Sequence, residues 1–469
     1  MDEEKKKKRK KKKSAAEGGT EAREHKENYK AYLATVEDIE RFLSDNVVLR
    51  HNVVTGRAEY RIPERDVFAQ GGLEGLAEEG AFGVIGACSD PQPPDSGGLW
   101  QPVSDRIVNA MWRTLSREKK VRVDDIWRII GSDFVPAFNP FAFYLEHLPP
   151  WDGQDYILGM SVSVTVKGEV EMQVRFAEYL KKWLVGMVAG WLDATVVNNV
   201  ILVLIGEQGA YKTTWFQHLL PPELRRYFRI KTNSSHTTKD DLLALTQYGL
   251  VCYEELDAMT PRDLNQLKSA VTMTSVDERV PYDRYPDHRP HIASFCGTGN
   301  NVQFLSDSTG NRRWLPFEVE SIDSPRDHPF DYAGVYAQAY ALWRQGFRYW
   351  FSKAEIEVLA EHNRQFETPR LEAELVQMYF RVPSAGEPGE FMPVSMALQI
   401  VGANITQKLS VVWLGRAFVE LGFQKKTYNN VRGYLVVRRS AEEMRSLRSI
   451  MAQSAADDHT EDTVNTVLF

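Results

Sequence analysis

Residues 201–214 read ILVLIGEQGAYKTT, an apolar run of β-forming residues that breaks into a glycine-containing turn and then into a lysine and two threonines. This order predicts a buried strand, a turn and a following helix. Backbone N–H groups of such a turn can cradle phosphate oxygens, and the N-terminus of the helix adds the positive end of its dipole. The segment therefore predicts an α/β fold that binds the triphosphate of a nucleotide.

The residue types in this turn indicate separate roles. Lys212 is placed to neutralise the charge of the β- and γ-phosphates, and Thr213 to offer its hydroxyl to Mg²⁺. Tyr211 departs from the pattern G-x-x-x-x-G-K-[ST], because glycine normally supplies the open backbone angles needed before the lysine. A strand, turn and helix without any ligand is the alternative interpretation. The predicted nucleotide-binding residues are Gly206, Gly209, Tyr211, Lys212, Thr213 and Thr214.

A second chemical signal follows about forty residues later, in GLVCYEELDAM, where a hydrophobic strand runs directly into acidic residues. An ATPase of this kind needs one acid at a strand end for the magnesium shell and an adjacent carboxylate for the attacking water. We assign Glu254 to the metal side, with Thr213, and Glu255 to the water. An acidic helix start after a buried strand is the alternative.

The third signal is HIASFCGTGNNVQFLSDSTGNRRWLPFEV, a strand that ends at polar Asn300 and is followed by Arg312 and Arg313. An asparagine at a strand end can bond the γ-phosphate or the lytic water. An arginine presented to a neighbouring subunit can stabilise the charge on the transferring phosphoryl group. A solvated arginine pair on a surface turn is the alternative.

In this order, GEQGAYKTT, YEELD, VTMTSVDERVPYDR, GTGNN and LSDSTGNRRW resemble the virulence-associated protein E family, which belongs with superfamily III helicases and the wider AAA+ ATPases. The resemblance covers roughly residues 130–320. It implies a P-loop parallel-sheet core, ATP and Mg²⁺, a homo-oligomeric ring and a role in replicating a phage or mobile element. It also implies a possible primase partner, although the N-terminal part shows no primase acid triad.

The resemblance further implies that RVPYDRYPDHRPH at 279–291 occupies the place of a hairpin that such enzymes thread into their central channel. Its cations and tyrosines suit single-stranded DNA held without sequence preference. A charged surface hairpin is the alternative. The DNA-binding candidates are Arg279, Tyr282, Arg284, Tyr285, His288 and Arg289.

The C-terminal part predicts a winged-helix-like module at 391–440, with VVWLGRAFVELGF as its recognition-like helix and KKTYNNVRGYLVV as its wing. Gly433 is placed at the turn between two short strands, and Lys425, Lys426 and Arg432 are placed to meet the phosphates of duplex DNA. A protein-interaction module is the alternative.

The remaining organisation follows from composition. Residues 2–13 carry nine basic and three acidic side chains, which predicts a disordered arm that adds affinity for phosphate backbones or only solubility. The predicted segments are a basic arm at 1–30, an α+β module at 31–150, the ATPase core at 151–320 with a helix at 174–192, a helical lid-like region at 321–382, the winged-helix-like module at 391–440, and a helix with an acidic tail at 441–469.

Cysteine usage and hydropathy indicate the compartment. Cys88, Cys252 and Cys296 lie far apart without a C-x-x-C pair, so neither a zinc site nor a disulfide framework is predicted. No apolar stretch reaches the roughly 18–20 residues of a membrane span. We therefore expect a cytoplasmic protein without a membrane partner.

These signals together predict an ATP-dependent DNA helicase or translocase. A nucleotide-dependent switch or replication initiator with little hydrolysis is the main alternative, which Tyr211 and Glu254 favour because both depart from the usual residues. A defence or regulatory ATPase is a third hypothesis.

Overall fold

The computed structural model describes residues 32–63, 100–232, 238–277, 288–305, 310–368, 371–403, 405, 409–447 and 449. Contacts divide the chain into two compact units, one formed by Met1–Val302 with Gly310–Asn363 and the other by Gln303–Thr309 with Arg364–Phe469. Several predicted features lie outside the described residues: the basic arm at 1–30, Cys88, the DNA-binding candidates Arg279, Tyr282, Arg284 and Tyr285, and the acidic tail after residue 449.

The N-terminal part of the first unit begins with helix α1. Thr35 caps this helix in a capping box with Asp38, so that two of the free N–H groups at the helix start are satisfied. A β-hairpin follows, with Gly56 in its turn at a φ of 66°. The elements are α1 (Val36–Asn46), β1 (Val48–Asn52), β2 (Arg57–Arg61), β3 (Gln101–Pro102), α2 (Asp105–Leu115), α3 (Val123–Ile130), β4 (Ala137–Phe138) and α4 (Pro140–Glu146).

The strands of this part form a sheet in the order β3-β2-β1-β4, in which β4 runs parallel to β1. The helices α1, α2 and α3 bury their apolar faces together beside the sheet. Their shared core is formed by side chains that include Leu43, Met111 and Ile126. The sequence between residues 32 and 138 thus forms a small α+β arrangement with a core of its own.

The larger sheet of the first unit has the order β5-β12-β6-β11-β8-β7. The five strands from β12 to β7 are parallel to one another, and β5 runs antiparallel to β12 at the edge. The predicted α/β class with a parallel core sheet is confirmed. The elements are α5 (Tyr156–Val162), β5 (Val164–Val166), α6 (Val170–Leu192), β6 (Ile201–Ile205), α7 (Lys212–Leu219), β7 (Phe228–Lys231), α8 (Lys239–Gln247), β8 (Leu250–Tyr253), α9 (Pro261–Ala270), β9 (Ser275–Val276), β10 (Arg289–Pro290), β11 (Ser294–Gly299), β12 (Trp314–Ile322), α10 (Tyr332–Arg344) and α11 (Lys353–Asn363).

Helix α6 packs its apolar stripe against this sheet. Trp183, Met187 and Trp191 recur every fourth residue, which brings them to one helix face, and all three are buried. The indole N–H of Trp183 donates to the carbonyl of Phe295 in β11 at 3.0 Å. The helix therefore fixes the position of the strand that ends at Asn300.

The second unit contains helices and a small sheet of order β13-β16-β14, with β15 also paired to β16. The turn between β15 and β16 lies at Asn429 and Asn430, whose φ angles are 47° and 63°. The prediction of a turn at Gly433 was wrong, since Gly433 lies inside β16 with Met392 and Phe391 so close that a side chain would not fit. The elements are α12 (Leu371–Tyr379), β13 (Phe380–Arg381), β14 (Glu390–Pro393), α13 (Val394–Gly402), α14 (Val411–Glu420), β15 (Lys425–Tyr428) and β16 (Val431–Arg438).

Two further features concern the described part of the chain as a whole. Cys252 and Cys296 are free and buried in neighbouring strands, where burial raises the pKa of the Cys296 thiol. Within the described ranges, no helix has both the length and the apolar character needed to cross a membrane.

Candidate nucleotide-binding site

Three neighbouring strands bring the predicted nucleotide-binding residues to one edge of the large sheet. Strand β11 pairs in parallel with β6 on one side and with β8 on the other. Because the carboxyl ends of parallel strands meet at the same sheet edge, the turn after β6, the acids after β8 and Asn300 after β11 converge there. The three separate sequence signals thus belong to one place in the structure.

The ammonium group of Lys212 lies at the centre of this edge. It donates to the carbonyls of Gly206 and Glu207, both at 2.6 Å, and to Oδ1 of Asn300 at 3.3 Å. Three acceptors match the three N–H donors of an ammonium group. The residue is only 7% exposed, and this burial lowers the pKa of Lys212, while the charges of Asp257 and Glu207 act in the opposite direction.

Tyr211 precedes this lysine with a left-handed backbone. Its φ of 56° and ψ of 12° are the angles for which glycine is preferred, and Gly209 two residues earlier also has a positive φ of 89°. The residue is 48% exposed, and its carbonyl accepts the first helical hydrogen bond of α7 from Trp215 at 2.8 Å. The tyrosine therefore takes the backbone conformation of the glycine that it replaces and leaves about half of its surface exposed.

Thr213 and Glu254 meet on the other side of the lysine. The hydroxyl of Thr213 donates to Oε1 of Glu254 at 2.9 Å. A hydroxyl and a carboxylate are hard oxygen ligands, and Mg²⁺ is commonly held by one or two such groups together with substrate phosphates and water. This pair fits the predicted metal site in its donor chemistry.

Glu255 follows with a different orientation. Its φ of 54° is again left-handed, which reverses the chain direction directly after β8, and the residue is exposed. Neighbouring carboxylates are thereby separated, since Glu254 contacts Thr213 while Glu255 faces solvent at the same sheet edge. This separation is compatible with the two different roles predicted for them.

Asp257 was missed by the sequence interpretation. Its two carboxylate oxygens accept the backbone N–H groups of Asn300, at 3.2 Å, and of Asn301, at 3.1 Å. A side chain at Gly299 would approach Oδ1 of Asp257 to 3.1 Å, so the glycine keeps room for this carboxylate. Asp257 thereby holds the end of β11 in place beside Lys212. Its place in the acidic cluster YEELD was the available signal.

Arg312 and Arg313 lie at the opposite edge of the sheet. They form a short 3-10 turn before β12, and Trp314 pairs with Ile201 at the start of β6. The four residue steps of β6, about 13 Å at about 3.3 Å each, therefore separate the two arginines from the turn before Lys212 in the same chain. Asn363 donates to the carbonyls of Asn311 and Trp314, at 2.8 and 3.1 Å, and so anchors this turn.

The two arginines differ in exposure. Arg312 is exposed, whereas Arg313 is partly buried, and this burial, followed by the charge of Arg312, lowers the pKa of Arg313. The structure does not bring either arginine to Lys212.

The predicted channel hairpin is described only at its base. Strands β9 and β10 pair antiparallel, with Arg289 opposite Val276. His288 is exposed and lies 2.6 Å from the carboxylate of Asp277. The guanidinium of Arg289 lies against the N-terminal hairpin turn, where a side chain at Gly56 would come within 2.9 Å of it. Arg289 thus has a packing role, and DNA contact by either residue stays a prediction.

Residues 145–368 match the family model of the virulence-associated protein E-like domain. Among solved structures, the chain is similar to "The apo structure of NrS-1 C terminal region (305-718)", at 9% identity and a TM-score of 0.43, over 85% of this chain and 98% of that one. A second structure of that region, "The A form apo structure of NrS-1 C terminal region-CTR", matches over the same shares at 10% identity and a TM-score of 0.40. No curated protein matched.

Proposed function

We propose that this chain, whose residues 145–368 match the family model of the virulence-associated protein E-like domain, is an ATPase that moves or unwinds DNA during replication of a phage or mobile element. The family assignment supports the replication role. The geometry of the sheet edge supports the ATPase. ATP is the substrate in this proposal, and Mg²⁺ is the accompanying ion.

One observation carries the proposal: the Lys212 ammonium, the Thr213–Glu254 pair and Asn300 share one sheet edge. Lys212 lies 2.6 Å from two loop carbonyls and Thr213 lies 2.9 Å from Glu254, which supports an ordered arrangement of charges at this edge. A cation, a hydroxyl and a carboxylate in this order suit a magnesium-complexed triphosphate.

The roles of the residues follow from their positions. Lys212 neutralises phosphate charge from its position at the turn. Thr213 and Glu254 would hold Mg²⁺, which supplies charge neutralisation and orientation of the phosphates. The exposed carboxylate of Glu255 orients the attacking water, and the Asn300 amide contacts the terminal phosphate or that water.

The proposal includes a second copy of the chain. Because Arg312 lies at the far edge of the sheet from Lys212, it can act on a phosphoryl group only in a neighbouring subunit. The greater exposure of Arg312 favours it over Arg313 as the residue that reaches across. An ATPase site completed in this way is active only in the assembly.

The test is ATP turnover by the purified full chain, with and without single-stranded DNA, combined with the mass of the assembly. Lys212→Ala should abolish DNA-stimulated turnover, whereas Lys353→Ala, which removes an exposed lysine at the start of α11, should not. A chain that stays monomeric with ATP and DNA and shows no Lys212-dependent turnover contradicts the proposal.

A nucleotide-dependent switch is the second candidate. The observation that favours it is the tyrosine at the left-handed position before Lys212, since its side chain stands where phosphate-binding loops keep open space. Nucleotide binding that depends on Lys212, without measurable turnover in the presence of DNA, would support the switch over the motor.

A further inference from the structure

The hairpin of the second unit, formed by β15 and β16, extends beyond the sheet that carries it. Pairing of β16 with β14 ends at Gly433, whereas pairing with β15 continues to Val431. Asn429 and Asn430 close the hairpin in left-handed conformations, as a two-residue turn of this kind requires. Two residue pairs and the turn therefore project beyond β14, and Lys425 and Lys426 lie at the base of this projection, opposite Tyr434 and Gly433. We call residues 425–432 the hairpin tip.

The hairpin tip carries cations that have no carboxylate partner within the described part of the chain. Lys425, Lys426 and Arg432 are all exposed. Two arginines elsewhere in the second unit are paired with carboxylates instead: Arg381 forms two hydrogen bonds of 2.6 Å with Glu387, and Arg438 two of 2.9 and 2.7 Å with Glu390. The tip thus presents three exposed cations close together on one hairpin.

These cations lie on both faces of the two-stranded ribbon. Residues directly opposite each other in an antiparallel pair project to the same face, and neighbours along a strand project to opposite faces. Lys425 shares its face with Tyr434, and Arg432 lies two residues further along that face. Lys426 and Tyr428 lie on the other face. A ribbon with cations on both faces fits between two walls of negative charge.

We propose that the hairpin tip inserts into the major groove of duplex DNA and binds the phosphate backbones on both sides. The major groove is wide enough for a two-stranded ribbon, and phosphates line both of its walls. Lysine and arginine contacts to phosphate give affinity without reading sequence. Tyr428, which is 63% exposed beside the turn, contacts the sugar–phosphate backbone in this arrangement.

Helix α14, the predicted recognition-like helix, is not suited to this role. Its exposed positions are mostly apolar, with Val412 65% exposed and Val411 and Val419 also exposed. Its single cation, Arg416, lies over the ring of Trp413 at 4.3 Å. The hairpin tip, and not the helix, therefore meets the DNA.

Lysines on an edge strand have a second use, because they prevent edge-to-edge pairing between sheets. That use accounts for Lys425 and Lys426 on the edge strand β15. Arg432 lies on an unpaired edge as well, because pairing of β16 with β14 ends at Gly433, so the experiment reads aggregation beside DNA affinity to separate the two uses.

The experiment compares two double variants of the full chain that remove the same charge. Lys426→Gln/Arg432→Gln removes one cation from each face of the tip. Arg416→Gln/Arg445→Gln removes the helix cation and an exposed cation at 441–447. Fluorescence anisotropy measures binding to a labelled duplex, without nucleotide, between about 50 and 200 mM salt.

The tip variant should lose about tenfold or more in duplex affinity at low salt, and the magnitude of its slope of log K against log salt should fall by about 1.8, since each phosphate contact contributes about 0.9. The control variant should bind like the unchanged chain, and both variants should keep Lys212-dependent ATP turnover. Equal losses in both variants, an unchanged slope with increased aggregation of the tip variant, or the same loss on single-stranded DNA would each overturn the proposal. Because turnover is read separately, failure here leaves the ATPase proposal standing.

Discussion

Lys212 in the candidate nucleotide-binding site and the cations on the hairpin tip differ in how their side chains are held. Lys212 is buried and donates to backbone carbonyls at 2.6 Å, whereas Lys426 and Arg432 are exposed. A charge whose position the fold dictates can act on one bond of one ligand. Exposed charges act through the number of phosphates that they meet. We therefore expect single substitutions to have large effects at the first place and small, additive effects at the second.

The largest effect on ATP turnover is expected from substitution of Lys212. A lysine-to-arginine change at Lys212 and at Lys426 compares the two places directly. Lys212→Ala should lower DNA-stimulated turnover by about 10²–10³-fold, the range observed when one stabilising charge or donor is removed from a transition state. Lys212→Arg should not restore activity, because the planar guanidinium cannot satisfy the same three acceptors as an ammonium. At the tip, Lys426→Arg should keep duplex affinity. ATP turnover is measured for the Lys212 variants, and fluorescence anisotropy measures the duplex affinity of Lys426→Arg. Full activity of Lys212→Arg would contradict the idea of a fixed position.

The next effect concerns Asp257 as a positioning residue. Asp257→Ala should lower kcat by about 10-fold to 100-fold, with less change in KM, because the backbone N–H groups of Asn300 and Asn301 each lose the hydrogen bond that holds them. Asn300→Ala should cost a similar factor. The double variant should cost little more than either single one, since both act through the same contact. Losses that simply multiply in the double variant would show that Asp257 acts separately from Asn300.

A smaller effect, on stability, is expected from glycine at two residues with left-handed backbone angles, Tyr211 before Lys212 and Asn430 in the hairpin tip. Tyr211→Gly should raise the free energy of unfolding by about 1 kcal/mol, since left-handed angles cost most residues roughly 1–2 kcal/mol and glycine gives back part of this in chain entropy. Asn430→Gly should change stability by less than about 0.5 kcal/mol, because asparagine tolerates the left-handed region. Urea denaturation measures both. Destabilisation by Tyr211→Gly would mean that the exposed ring makes a stabilising contact.

The smallest effect is expected from a single change at the tip. Lys426→Gln should lower the magnitude of the salt slope for duplex binding by about 0.9 and leave turnover unchanged, since only one phosphate contact is lost. Arg445→Gln serves as the control with the same change of charge. A loss from Lys426→Gln as large as that of the double tip variant would show that the tip cations do not act additively.

The sequence alone determined the parallel α/β class and most of the residues that meet at the sheet edge around Lys212. Local patterns sufficed for this. An apolar run that changes to polar residues marks the end of a buried strand, and parallel strands bring such ends together at one edge of the sheet. Lys212, Thr213, Glu254 and Asn300 were found in this way. The channel hairpin was named from its sequence, and the described residues cover only its base.

Tertiary structure decided which distant groups meet. Asp257 bonds the backbone at Asn300, forty-three residues later, only because β11 lies between β6 and β8. Gly433 serves close packing and not a turn, because β14 approaches it so closely that a side chain would not fit, while the turn lies at Asn429 and Asn430. The packing of Arg289 against Gly56 depends likewise on two segments far apart in the chain. Such contacts depend on strand order and close packing, and local residue patterns carry neither.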